Sequence, residues 1–453
     1  MDIPFDLDNL RAFYAEGGAS RAVVAAAYQR IARANDPGVF IHLAPENEVA
    51  EAAGGLPQFD PERYPLWGAP VAVKDNIDVA GLPTTAACPA FAYVAESDAP
   101  VVARLRAAGA LIIGKTNLDQ FATGLVGVRT PYPAPLNPFD PSRAPGGSSS
   151  GSAVAVARGF VTLALGTDTA GSGRVPAGLN NLVGLKPTLG ALSTRGVVPA
   201  CRTLDCVSIF ATRVADAWTA FEALSVYDPM DPFSRPWRDA GKRIATLGAP
   251  REQDLLFFGD EAARGSWLAA RAHLESCGVT IREVDFTPLF AVACLLYEGP
   301  WVAERRAAIR PFMDDQPEAL HPVTRRIIAG ADRFSAVDTF DAIYKLAELR
   351  RQVEPLWGEI DALVVPTAPI APTLAQLEAD PFTPNAQLGT YTNFVNLLDL
   401  SAIAIPGPFR SDGMPAGVTL IGERGADAAL AQCALRLFDG RGGVATHEGA
   451  LCR

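Results

Sequence analysis

Four serines and three glycines fall within the nine residues A-P-G-G-S-S-S-G-S at 144–152. Ser149 sits in G-S-S-S-G and fits G-x-S-x-G, the pattern of a nucleophile elbow. An elbow serine needs a downstream acid and then a histidine to take its proton. The chain has only four histidines, His42, His273, His321 and His447, and the last three alone lie downstream. An elbow also follows a buried strand directly, whereas N-P-F-D-P-S-R-A-P-G (137–146) reads as loop. A histidine triad on Ser149 is therefore not expected, and His447, in G-G-V-A-T-H-E-G, reads as a lone surface histidine.

With histidine so scarce, a serine nucleophile needs another base. Lysine serves if burial keeps its amine neutral, because a low-dielectric setting disfavours the charged form. Lys74 lies in P-V-A-V-K-D-N (70–76), an apolar run that carries it into the interior as a strand. Alternation along the strand sends Asp75 to the opposite face. Taken alone, a lysine paired with a carboxylate at a strand end is the plainer reading. A second serine changes the balance. In G-T-D-T-A-G-S-G-R (166–174), Ser172 stands between two glycines, where its oxygen is presented without cover. The N–H groups of Thr169, Ala170, Gly171 and Ser172 are placed to converge on one oxyanion. The local sequence also fits a glycine-rich turn with a capping serine.

One further motif is a decoy. G-A-L-I-I-G-K-T (109–116) satisfies the phosphate-loop pattern, which needs an open anion cradle between strand and helix. Here the middle residues are apolar and read as a buried strand, with Gly109 ending the helix before it.

Alternating elements must position these groups. Residues 6–35 read as helix, 70–79 as strand, 101–109 as a short helix and 110–116 as strand. After the serine loop, 152–160 reads as helix and 161–169 as strand, then 176–182 as helix and 183–188 as extended chain. The proline-rich stretch 227–242 is a candidate subdomain boundary. A helical segment near 288–312 follows, then strands at 362–370, 401–408 and 416–422 and a helix at 427–438. The pattern gives an α/β fold with a central, covered sheet.

The 453 residues are 49% hydrophobic and 20% charged, an ordinary globular composition. Net charge is −11 and no Lys/Arg block occurs, which argues against nucleic-acid or membrane-surface partners. The seven cysteines are irregularly spaced without C-x-x-C and read as reduced cytosolic thiols. The N-terminus shows no signal-peptide pattern, and the apolar run 153–165 is too short and interrupted to span a bilayer. A cytoplasmic location is expected.

The motifs P-V-A-V-K-D-N, G-K-T-N, G-G-S-S-S-G-S, G-T-D-T-A-G-S-G-R-x-P-A and G-L-K-P-T occur in that order. Lys74 precedes Ser148 by 74 residues, and Ser148 precedes Ser172 by 24. The chain thereby resembles the amidase signature family from its first helix to nearly its end. The resemblance implies an amidase signature fold, a central mixed β-sheet covered on both faces by helices. It implies a Ser–cis-Ser–Lys triad: Ser172 as nucleophile, Ser148 as bridging residue after a cis bond from Gly147, and Lys74 as terminal base. The backbone amides of Thr169, Ala170, Gly171 and Ser172 would form the oxyanion hole, with no metal and no cofactor. Asp168 and Arg174 would hold the loop. Ala170-Gly171 departs from the Gly-Gly common in the family; a methyl fits there if φ is negative. The expected organisation is a single amidase domain over 1–453. Its signature core spans about 65–230, a helical substrate-recognition part about 245–360, and a return to the sheet about 361–440. A homodimer is expected, as members are commonly dimers.

The stretches 120–138 and 185–210 are similar to the amidase domain of allophanate hydrolases, which implies a small-molecule substrate, allophanate, a urea carboxylate. Its carboxylate needs a cation. In L-Y-E-G-P-W-V-A-E-R-R (296–306), Tyr297 and Arg305 are eight apart, nearly on one helical face, with a kink expected at Gly299-Pro300. The resemblance points to Tyr297 and Arg305 for substrate binding, with Arg306 as the neighbouring competitor and a surface arginine beside a core tyrosine as the plain alternative. Allophanate hydrolases often carry a further C-terminal domain, which is expected to be absent here. Competing readings are an amidase of other specificity, an ammonia-delivering amidotransferase-type subunit, and a non-catalytic scaffold.

Overall fold

The computed structural model describes residues 3–439. In chain order the strands are β1 (Phe40–Leu43), β2 (Pro70–Lys74), β3 (Pro83–Thr84), β4 (Tyr93–Val94), β5 (Leu111–Thr116), β6 (Leu163–Asp168) and β7 (Val183–Lys186). They continue as β8 (Cys206–Ala211), β9 (Thr246–Pro250), β10 (Thr280–Val284), β11 (Ala362–Pro366), β12 (Ser401–Pro406) and β13 (Gly417–Gly422). All but β3 and β4 join one sheet in the order β1-β5-β2-β6-β8-β7-β12-β13-β11-β9-β10. β2 runs parallel to both β5 and β6, while β8, β7, β12 and β13 pair antiparallel, so the sheet is mixed. The interior strands are buried throughout and mostly apolar, as expected of a sheet covered on both faces, with Lys74 and Asp168 at their ends.

Parallel β2 and β6 are in register at Val71–Leu163, Ala72–Ala164 and Val73–Leu165. Lys74 and the loop after Asp168 therefore leave neighbouring strands at the same edge, where open parallel sheets present their functional loops. Between them runs the helix Ser150–Ala157, buried along its length. Its apolar Ala/Val composition suits a position under the sheet, and its first turn follows directly on the serine loop.

The decoy segment 109–116 is the strand β5, preceded by the helix Pro100–Ala107 and by Gly109 at φ +91°. Two expected helices are broken. The segment 6–35 divides into Leu7–Ala15 and Ser20–Ala34, because Gly17 takes φ +88° and the Gly18 N–H returns to Phe13 O at 2.9 Å. The segment 288–312 divides into Thr287–Tyr297, Val302–Ala308 and Arg310–Asp315. Gly299-Pro300 makes a full break rather than a kink, and Pro311 resets the chain again. Among the described residues no helix is long and apolar enough to cross a membrane.

Candidate active site

Lys74 ends β2 with no solvent exposure. Its amine donates to Ser148 Oγ at 2.8 Å and to Thr167 Oγ1 at 2.8 Å. Burial pulls the Lys74 pKa down to about 7, against the opposing pull of Asp119, Asp205 and Asp168. Asp75 points to the other face, as alternation requires. There it meets Lys115 at 3.3 Å and accepts the Thr85 N–H at 3.0 Å. The sheet thus separates the lysine from its neighbouring carboxylate and gives that carboxylate a different cation.

The Gly147–Ser148 peptide bond is cis. Gly147 is required on steric grounds: a Cβ there would lie 2.1 Å from Asp119 Oδ2. Asp119 organises this turn by accepting the N–H groups of Gly127 at 3.0 Å and Arg129 at 2.9 Å. Ser149 is the residue before the buried helix, and its Oγ donates to Thr167 O at 3.2 Å, inside the core. The position is structural and no elbow is formed; His447 lies outside the described residues.

Ser172 is buried and its Oγ lies 3.5 Å from Gly124 O. Its loop is braced from two sides. Asp168 and Arg174 form a fork, Nε to Oδ2 and Nη2 to Oδ1, both at 2.9 Å. Burial works against the Asp168 charge, but Arg174, Lys186 and the Gly173 N–H hold its carboxyl below the usual carboxylate range. From the other side, Thr392 Oγ1 donates to Ala170 O at 2.6 Å. Asn396 Nδ2 donates to Asp168 O and Leu204 O, both at 2.9 Å.

The geometry corrects one member of the expected oxyanion hole. The Gly171 N–H donates to Asp168 Oδ1 at 2.9 Å and is not available to a ligand. Gly171 takes φ +131°, and a Cβ there would lie 2.4 Å from Thr392 Oγ1. That conformation turns its N–H inward. The N–H groups of Thr169, Ala170 and Ser172 have no acceptor among the described residues.

Tyr297 and Arg305 meet although the helix between them is broken. Arg305 Nη2 donates to the Tyr297 hydroxyl at 3.1 Å, and its guanidinium lies 5.1 Å from the ring centre. Arg305 Nη1 donates to Thr123 Oγ1 at 3.1 Å and Ala122 O at 3.3 Å. Arg305 is only 2% exposed, makes no ion pair among the described residues, and its Nε is buried without a partner there. A buried cation with unused donors is costly unless an anion completes it. Arg306 by contrast faces outward to Asp314 at 2.5 Å. Phe121 and Ala122 both have φ of 51°, the left-handed region that non-glycine residues rarely adopt. This turn sets the Ala122 carbonyl and Thr123 hydroxyl on Arg305, with the Gly124 carbonyl on Ser172.

Sequence reasoning missed Thr167, Asp119, Thr392 and Asn396. Thr167 was legible in principle, since β6 carries it to the level of Lys74. Thr392 and Asn396 come from the helix region Asn393–Leu397 and its cap, far along the chain, and no local signal marks them.

A family model described as Amidase matches residues 22–431. The urea amidolyase of Saccharomyces cerevisiae is 51% identical over 384 residues, which are 83% of this chain and 21% of that protein. The chain thus spans about a fifth of that relative's length. A component of the glutamyl-tRNA(Gln) amidotransferase of Symbiobacterium thermophilum is 37% identical, with 91% of each chain covered. Among solved structures, the Kluyveromyces lactis allophanate hydrolase superposes with a TM-score of 0.90 at 44% identity, covering 96% of this chain and 73% of that one.

Proposed function

This chain belongs to the amidase family, and from that premise we propose that it hydrolyses allophanate at the terminal amide, releasing ammonia within urea degradation. The observation that carries the substrate is Arg305: a buried guanidinium with no ion-pair partner among the described residues, tied to the nucleophile's surroundings by the three residues 122–124. Allophanate presents such a cation with a carboxylate one nitrogen away from the attacked carbonyl. Tyr297 and Arg305 would hold the carboxylate end.

Lys74, neutral near pH 7, is the base. It draws the proton of Ser148 as Ser148 draws that of Ser172, and Ser172 Oγ attacks the amide carbonyl. The Ser172 hydroxyl must swing from Gly124 O toward Ser148 to close this relay, a tightening expected when substrate enters. The N–H groups of Thr169, Ala170 and Ser172 receive the oxyanion. The relay returns the proton to the leaving nitrogen and the C–N bond breaks, so ammonia departs. Water then cleaves the Ser172 ester, giving N-carboxycarbamate. The chain acts as a single amidase domain, and the free, scattered cysteines among the described residues support a reducing cytoplasmic setting. A homodimer is part of the same proposal.

The test is ammonia release from allophanate, biuret, malonamide and a simple aliphatic amide. Preference for allophanate by 100-fold or more supports the reading. Equal or better turnover of the neutral amides removes the substrate assignment. Activity on none of them shifts the weight to a partner-dependent role, the reading that the 37% identity to an amidotransferase component favours.

A further inference from the structure

Behind the nucleophile loop lies a second carboxyl group that the relay does not use. Asp205 precedes β8 and is 7% exposed. Its Oδ1 accepts the Thr169 hydroxyl and, at 3.2 Å, the Cys201 N–H; its Oδ2 accepts the Ala200 N–H at 2.8 Å. The carboxyl faces three donors and has no ion-pair partner among the described residues, and burial pushes its pKa up to about 6. A turn at 200–205 alone would be held more cheaply by apolar side chains, because an unpaired carboxyl loses hydration on burial.

What the carboxyl gains is a grip on Thr169. That residue opens the segment whose free N–H groups face the reacting carbonyl, and its hydroxyl has one proton to give. Donating it to Asp205 fixes the side-chain rotamer. Asn396 ties the same two segments together one residue earlier, between Asp168 O and Leu204 O. The segment 168–172 is therefore clamped on the 200–205 turn.

We propose that Asp205 is a positioning residue: through the Thr169 hydroxyl it sets the direction of the backbone N–H groups that receive the oxyanion. The proposal rests on the reading of Ser172 as nucleophile. Interactions that matter only in the transition state lower kcat and leave KM nearly unchanged. Loss of a single oxyanion donor costs about 100- to 1000-fold in kcat, and misdirecting one costs less, about 10- to 100-fold.

The experiment compares Asp205→Asn, Thr169→Val, Thr169→Ser and the Asp205→Asn/Thr169→Val double variant, with the parent chain and Ser172→Ala alongside. The readouts are kcat and KM for ammonia release from allophanate, and Tm. The expected result is a 10- to 100-fold fall in kcat for Asp205→Asn and Thr169→Val, with KM within about threefold. The double variant should lose no more than the worse single variant, and Thr169→Ser should recover most of what Thr169→Val loses. Unchanged kcat in Asp205→Asn, with only Tm lowered, overturns the proposal, as do single losses that multiply. If Ser172→Ala is inactive while Asp205→Asn is fully active, Asp205 alone has been misread. If Ser172→Ala retains turnover, the nucleophile assignment falls and the Asp205 role falls with it.

Discussion

The amine of Lys74 lies 2.8 Å from Ser148 Oγ, in a position sealed from solvent by the sheet and the serine loop. Both partners come from contiguous motifs, yet they meet because Ser149 pins the serine loop to Thr167 of β6, the parallel neighbour of β2. The bond has chemical use only if the amine is neutral, and burial supplies that condition.

The pH profile follows directly. With Lys74 as the proposed base, the neutral lysine is the active form, and its pKa is pulled down to about 7. Plotted against pH, kcat/KM should rise about tenfold per unit below 7 and level off above it. A profile flat from pH 5 to 9 would contradict a lysine base.

The same burial costs stability. The folded-state pKa of Lys74 is about 7, against an ordinary value of 10.5. Between those values the unfolded chain binds more protons than the folded one, so the parent's stability gains from rising pH. The penalty is fully present below 7 and gone above 10.5. Lys74→Met should be inactive, with a Tm advantage over the parent that is largest near pH 6 and shrinks by pH 10. Thermal unfolding at several pH values reads this out.

Arg305 and Arg306 are adjacent but face different surroundings. Arg305→Gln should lower kcat/KM for allophanate by about 100-fold, the ~3 kcal/mol upper range of hydrogen bonds to a charged group. Its activity on neutral amides should change little. Arg306→Ala should stay within about twofold. The ratio of allophanate to malonamide turnover in each variant is the measurement.

Gly171→Ala meets two obstacles, a φ of +131° and Thr392 Oγ1 at 2.4 Å from the new methyl. The loop must shift, which moves Ser172. Activity should fall at least 100-fold, because small displacements at a reacting centre are felt strongly. Ammonia release, with Tm as the control for folding, checks it. Ala170→Gly should be far milder, because the backbone at Ala170 is not in the left-handed region.

Much of the site was legible because the signature motifs are contiguous in sequence. Lys74 and Ser172 stand out by type and setting, Ser148 enters through the resemblance to the amidase signature family, and β2, β5 and β6 show in their apolar runs. What escaped depends on orientation or on distant chain. Which way the Gly171 N–H points is set by backbone angles that no residue pattern displays. Thr392 and Asn396 reach the Ser172 loop from more than 200 residues away. The breaks at Gly17 and before Pro311 escape the sequence because the helical pattern runs through both. In both places backbone geometry overruled the pattern.

The central claim is that Ser172 takes the acyl group of a carboxylated amide. Acid quenching during allophanate turnover, followed by peptide mapping, tests it most directly. Acid strips the terminal carboxyl as carbon dioxide and leaves a carbamoyl group on the acylated side chain. With Ser172 as nucleophile, that group is found on the peptide carrying Ser172, and Ser172→Ala releases no ammonia. A carbamoyl group on Ser148 or Ser149, or turnover that survives Ser172→Ala, would contradict it.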